Sequence, residues 1–302
     1  MKINSFLVLG LLLSTTSASL AHGPAHIARN VEQTQINEVV GDQAVGVPIS
    51  QEVAERWWAA EATTGWESRH VHYGVNETGS SGAYVNEVGI QLGDLAINVW
   101  NGFGIGNSFN EWDFTIGYNV EIGPVFIIPG YNFRYMAGHV EPSGHAHHEE
   151  EHHEEEHEEE HEEEHHDHEE ENGSHAHSTY GNELFLTIGT TAIPYVIPSA
   201  NFIWDLNNTP GAFLEFRVDG DIPVYGETFS LQPYTTLGLN FGYNTMDYYG
   251  WNNFQLGLQG TFQITRYVAA FAGVNYSVAL EALQQIQQDN VFWINVGLSF
   301  AY

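Results

Sequence analysis

The densest chemistry in this 302-residue chain is a tract of histidine and glutamate. Residues 139–177 hold 13 of its 17 histidines, and residues 141–171 hold 17 aspartates and glutamates. His153, His157, His161 and His165 recur every four residues. On a helix, positions i and i+4 share one face, so neighbouring imidazoles could chelate a single divalent ion. Imidazole nitrogen suits Zn, Ni, Cu and Co, and glutamate supplies further oxygen ligands. The candidate ligands are His145, His147, His148, His152, His153, His157, His161, His165, His166, His168, His175 and His177. The carboxylates repel one another and there is almost no apolar face to bury. Disorder that folds in part on binding metal is therefore the expected state. Two other readings stay open: a solvated acidic loop whose histidines have no selected role, and a pH-responsive loop whose imidazoles charge near about pH 6.5. His22 and His26 would join a free amine at a processed N-terminus, either as a copper site or as a plain flexible end.

Such a tract needs a scaffold, and the rest of the chain alternates with period two in segments of about ten residues. Phe292, Ile294, Val296, Leu298, Phe300 and Tyr302 fall on one face, with Trp293, Asn295, Gly297, Ser299 and Ala301 on the other. Phe254 to Ile264, Leu237 to Tyr243 and Trp112 to Ile122 repeat the pattern. A soluble sandwich would carry lysine, glutamate and arginine on its polar face. Here that face is mostly Gly, Gln, Asn, Thr and Ser, which suits a lumen. Aromatics near segment ends (Trp66, Tyr73, Trp112, Tyr131, Tyr135, Trp204, Tyr243, Trp251, Tyr267) are placed for interfacial girdles.

The alternation predicts an all-β fold: a transmembrane, antiparallel, up-and-down β-barrel of about twelve strands carrying a long disordered extracellular loop. The strands are expected near 62–74, 82–92, 94–103, 111–121, 124–137, 180–191, 197–206, 211–220, 226–243, 251–264, 267–279 and 290–302. The first alternates worst, because Trp66-Glu67-Ser68-Arg69-His70 has no regular face. Short turns after the second, fourth and tenth strands put both termini in the periplasm and the His/Glu loop, residues 139–178, outside the cell.

The ends of the sequence fit this picture. Lys2, the apolar run Phe6–Leu13 and Ser19-Leu20-Ala21 read as a secretory signal peptide over residues 1–21. Residues 22–61 are expected to form a periplasmic segment, with a short helix suggested by Gln51–Glu61. The barrel then occupies 62–302. There is no cysteine, and the formal charge is −32. With six Lys and Arg beyond the signal, nucleic acid is excluded as a partner, since phosphates need cationic contacts. A pore tuned to acidic sugars or phosphate is disfavoured for the same reason.

The last strand, Val291-Phe-Trp-Ile-Asn-Val-Gly-Leu-Ser-Phe-Ala-Tyr302, resembles the C-terminal signature of bacterial outer-membrane β-barrels. That resemblance implies recognition by the barrel assembly machinery and an outer-membrane lipid environment. The segment 64–136, opening on Thr64-Gly-Trp-Glu-Ser-Arg69, is similar to uncharacterised porin-like barrels. It implies a fold and a location more than a function.

Pore-lining candidates are Glu87, Asp113, Glu121, Arg134, Glu215 and Arg217, with Glu67, Arg69, Asp205 and Asp219 as further lumen positions. Such mixed charge fits either a constriction or buried ion pairs that close the interior. No nucleophile elbow, phosphate loop or zinc-protease motif occurs outside the low-complexity tract, so no enzyme is expected. No cofactor is required; a divalent transition metal (Zn, Ni, Cu or Co) is the one ion the tract would take. The favoured expectation is a porin-like channel for small solutes or cations whose surface tract captures transition metal. The alternative is a non-transporting surface barrel displaying an acidic metal-buffering or adhesive loop.

Overall fold

The computed structural model of the chain describes residues 57–139, 177–207, 210–226, 228–243 and 248–302. The signal peptide expected at 1–21, residues 22–56 and the tract histidines His145–His175 lie outside the described residues.

Among the described residues, sixteen strands are laid down in chain order. β1 (Trp58–Glu67) is followed by the short β2 (Val71–His72) and β3 (Val75–Asn76), then by β4 (Ala83–Leu92) and β5 (Leu95–Gly104). β6 (Asn110–Tyr118) and β7 (Val120–Ile122) form one interrupted stave. β8 (Val125–His139), β9 (His177–Thr190) and β10 (Val196–Asp205) come next. β11 (Gly211–Gly220) and β12 (Ile222–Tyr225) form a second interrupted stave, followed by β13 (Phe229–Phe241), β14 (Tyr249–Thr265), β15 (Val268–Ala279) and β16 (Val291–Ala301). One short helix, α1 (Glu281–Gln285), lies between β15 and β16.

Each stave pairs antiparallel with the next. β1 also pairs with β16, Thr64 opposite Leu298, while β11 pairs with β13 through Phe216 and Leu237. The ring is therefore closed, with twelve staves. Staves of about ten residues match the length a tilted strand needs to cross a bilayer. β2 and β3 pair only with each other and take no part in the wall's ladder.

The alternation is realised on the two faces. On β16, Phe292 is 55% exposed and Trp293 5%. On β14, Leu256, Leu258 and Phe262 are exposed, whereas Gln255 and Gln259 are buried. A continuous apolar outer face with its polar face turned inward is the reverse of a soluble β-protein. Aromatics rim both ends of this belt. Tyr84, Trp112, Tyr180, Trp204 and Tyr249 are exposed at the long-loop end, and Trp58, Tyr118, Tyr225, Tyr267 and Tyr302 at the short-turn end.

Some expectations are corrected. The first strand is Trp58–Glu67, not 62–74. Ring closure demands a full-length partner, so Trp58–Ala60 pair with Ile90–Leu92 and are strand rather than helix. Beyond Glu67 the chain leaves the wall and folds inward. Tyr73 and Tyr243, expected in the girdles, are buried inside: Tyr73 rides on the inward chain, and Tyr243 follows the turn at Gly242, φ +85°. β8 and β9 reach further than expected, so His139 pairs across the ladder with His177 at the base of the 139–178 loop.

Leu256 lies near the middle of β14 on the outer face, so a charge there would sit in hydrocarbon. Leu256→Arg is expected to destabilise the barrel by about 2–4 kcal/mol, the cost of arginine near the bilayer midplane. Urea titration of the protein refolded in lipid vesicles checks this.

Candidate functional site

The inside of the ring is filled with side chains. Of the six pore-lining candidates, Glu87, Asp113, Arg134, Glu215 and Arg217 are each between 4% and 8% exposed. Glu121 is exposed, because it sits in β7 at the short-turn end where the wall runs out; Asn119 Nδ2 donates to its Oε1 at 2.8 Å. Glu67, Asp205 and Asp219 are buried as lumen positions, and Arg69 is half-buried.

The five buried candidates fall into three groups rather than one ring. Glu87 accepts a hydrogen bond from Asn98 Nδ2 across β4 and β5. Arg217 donates from Nε and Nη2 to the two oxygens of Asp219 at 2.7 and 2.8 Å, beside Glu215 on the same strand face. The arginine also lies 4.7 Å from the ring centre of Tyr234. Tyr234 continues into a polar network: its hydroxyl donates to Asn275 at 2.8 Å, and Asn275 donates to Asn295 at 3.0 Å.

The third group, towards the long-loop end, is the most charged. Asp113 and Arg134 are cross-strand partners on β6 and β8. Arg134 Nε donates to Glu111 Oε1 at 2.5 Å, and its Nη2 donates to His72 Nδ1. On the adjoining wall, Glu183 accepts from Tyr243 at 2.5 Å and from Asn132 at 3.0 Å. Glu111 Oε2 and Asp113 Oδ1 are buried without a hydrogen-bond partner among the described residues.

His72 and His70 enter this group on the inward chain. Residues Val71–Asn76 form a tight hairpin whose two turn residues, Tyr73 (φ +45°) and Gly74 (φ +85°), both take left-handed backbone. That is the type I′ geometry. Glycine adopts it freely, but a bulky tyrosine does so at a cost of order 1 kcal/mol. The strain is held by packing. The Tyr73 ring stands 4.6 Å from Phe213 and 5.7 Å from Tyr243, reaching into the apolar group around Phe213 and Ile203. His70 is bonded to Glu67 at 2.5 Å and stacks against Trp100 at 5.4 Å. Burial opposes charge on His70, but the Glu67 carboxylate, with Glu111 and Glu77, raises its pKa above the ordinary value. Burial, then the Arg134 guanidinium and His70, hold His72 well below the usual imidazole range, and it accepts from Arg134 as a neutral ring.

Large inward aromatics complete the filling, and four of them each face a glycine. Phe185 is paired with Gly130, Phe126 with Gly189, Phe271 with Gly297 and Tyr234 with Gly257. A Cβ on Gly130 would come within 2.0 Å of Phe185 Cζ, so only glycine leaves room for the ring.

The sequence reading did not single out Glu111, Glu183, His70 or His72. Glu111 and Glu183 share a face with Asp113 and with Phe185 and Thr187, so the alternation carried a signal for both. For the histidines no local pattern existed. Among the described residues there is no group of three or more His, Cys, Asp or Glu arranged to hold a metal ion. The tract ligands lie outside the described residues, apart from His177 at the start of β9.

The closed ring, apolar belt and two aromatic rims define a transmembrane β-barrel. Among solved structures the chain is similar to the KdgM porin, at 6% identity and TM-score 0.47, over 81% of this chain and 99% of that one. It is also similar to the NanC porin, at 10% identity and TM-score 0.45, over 80% and 98%. A third likeness is to the translocator domain of the autotransporter NalP from Neisseria meningitidis, at 10% identity and TM-score 0.39, over 94% and 99%. No protein-family model and no curated relative matches the sequence.

The two lumen histidines should respond to pH in opposite senses. Contacts of charged His70 contribute stability below the unfolded pKa, and this is lost as pH rises through its raised folded value. Neutral His72 favours the fold at higher pH, and that contribution is lost as pH falls below the ordinary imidazole value. In a variant lacking residues 144–177, with His22, His26 and His139 also replaced by Gln, histidine NMR should show one ring titrating above the usual range. The second ring should titrate well below that range. Two unshifted titrations would contradict the arrangement.

Proposed function

We propose that this protein is a porin-like outer-membrane channel that passes small hydrophilic solutes and prefers cations. The observation that carries this reading is the sign of the interior. Glu67, Glu87, Glu111, Asp113, Glu183, Asp205, Glu215 and Asp219 are buried inside the ring, against two guanidiniums, Arg134 and Arg217. Buried carboxylates in that ratio are costly unless cations, protons or water compensate them. The open acceptors on Glu111 and Asp113 point the same way. A low-dielectric wall strengthens the resulting field, which attracts cations and repels anions. The KdgM and NanC barrels are named as porins, which accords with this reading.

The long loops face outside and both termini face the periplasm, as in barrels with short periplasmic turns. The β16 ending at Phe300-Ala-Tyr302 is the segment the barrel assembly machinery would read. No enzymatic role is assigned. Residues 144–177, outside the mouth, capture transition metal through weak, exchangeable His/Glu sites and raise its local concentration.

The sign of the reversal potential in planar bilayers under a KCl gradient tests the channel. A cation preference is expected. Replacing Glu87, Asp113 and Glu215 together by Gln, Asn and Gln should lower the cation-to-anion permeability ratio at least about twofold. A clear anion preference would remove the proposal.

The metal step is tested separately by influx of Zn or Ni into dye-loaded proteoliposomes, with and without residues 144–177. Slower influx at low metal concentration on deletion is expected. Equal influx would leave the tract no role in transport.

A second reading is favoured by the filled interior. A barrel whose lumen-facing Phe213, Ile203, Gln232 and Thr261 are each 0% exposed is also what a non-transporting surface protein requires. That reading expects no conductance even when the hairpin at Val71–Asn76 is removed.

A further inference from the structure

The hairpin formed by β2 and β3 lies inside the ring and belongs to no wall strand. It is an excursion of the 68–82 connection, and His70, Val71, His72 and Tyr73 on it are buried among inward side chains of several staves. Its contacts reach around the ring. Val71 packs with Val291 and Trp293 of β16. His70 meets Glu67 of β1 and Trp100 of β5, His72 meets Arg134 of β8, and Tyr73 meets Phe213 of β11. A segment touching β1, β5, β8, β11 and β16 spans the bore.

Its attachment is nevertheless confined to side chains. β2 and β3 have no ladder partner in the wall. The turn is held by Asn252 Nδ2, which donates to the Tyr73 carbonyl at 2.6 Å, and by Gln288 Oε1, which accepts from the Asn76 N–H at 3.3 Å. Leu283 of α1 presses on the turn so closely that a Cβ on Gly74 would lie 2.7 Å from its Cδ1. His70 N–H donates to Thr78 Oγ1 at 2.8 Å, and the Thr78 carbonyl accepts from Asn107 Nδ2 at 3.1 Å. Releasing the hairpin would break these bonds and the His72–Arg134 bond, but no bond of the barrel ladder. The left-handed Tyr73 adds a strained position that the packed state alone over-determines.

We propose that residues Val71–Asn76 form a built-in gate, seated across the long-loop half of the lumen and latched by Arg134, Asn252 and Gln288, which must leave its seat for solute to pass. The gate rests on the channel reading above. Its closed position accounts for an interior that carries a solute-compensating charge yet is filled by side chains. The latch groups lie on β8, β14 and the connection after α1, so loosening that outer connection weakens the seat.

The chain has no native cysteine, so introduced thiols are unique. The test pairs Asn76→Cys with Gln288→Cys, bridged by a short cleavable bis-thiol reagent, in the full-length protein in planar bilayers. Bridging is expected to abolish the current, and cleaving the bridge with reductant should restore it in the same membrane. A second variant, with residues 70–78 replaced by a Gly/Ser linker and its folding checked by heat-modified gel mobility, should conduct several-fold more than the parent.

Parent, bridged and linker proteins that conduct alike would overturn the gate and leave the channel standing. No current from any of the three, the linker protein included, would overturn both. If the linker variant does not fold, the bridged pair decides alone: current that persists after bridging overturns the gate, and current lost and then regained supports it.

Discussion

Hydrocarbon offers a backbone no hydrogen-bond partner, so every N–H and C=O of a chain that enters it must be paired within the protein. In this molecule the requirement is met by joining the first and last strands. Thr64 opposite Leu298 closes the ring on one side, and Phe216 opposite Leu237 continues the wall past the short β12. The rest follows from this closure. Once the ladder has no edge, alternation leaves each residue two destinations, lipid or lumen, and Phe292 and Trp293 can be neighbours in sequence yet differ tenfold in exposure. The same closure makes the connections free to vary, which is why one of them can carry a His/Glu tract and another can dip inside.

Inside the ring the constraint changes from hydrogen bonding to charge and volume. The carboxylates outnumber the guanidiniums, and they are handled locally: Arg217 with Asp219, Arg134 with Glu111, and tyrosine and asparagine donors on Glu183. The volume is handled by aromatic rings and by the hairpin. In the proposed channel, selectivity belongs to wall charge and occlusion to the hairpin.

The wall was legible in the sequence because period two is a strong and repeated signal. The strands from 82 onwards were placed closely from alternation alone, and so were the lumen positions of Glu87, Asp113, Arg134, Glu215 and Arg217. Legibility failed where alternation fails. Val125-Phe-Ile-Ile-Pro129 is apolar on both faces, so nothing in it told that Phe126 and Ile128 face inward. Glu121 kept the phase of its strand but lay at the rim. The hairpin was invisible for another reason. Tyr-Gly at its turn lacks the Asn or Asp that usually marks a type I′ turn. Its burial also depends on Phe213, Trp293 and Arg134, residues that only the closed ring brings around it.

The four inward pairings of an aromatic with glycine bear on how such a barrel can change. Each ring occupies space that its neighbour's missing side chain vacates, while the backbone between them stays an ordinary ladder. Bore and strand number are thus separate variables. Exchanging Phe126, Phe185, Phe271 or Tyr234 for a small residue would widen the interior without touching the ring. Adding bulk on the glycine side is barred while the ring remains. A lineage built on this wall can therefore drift from narrow to wide by single steps through its aromatics, but its glycines are free to move only after those steps have been taken.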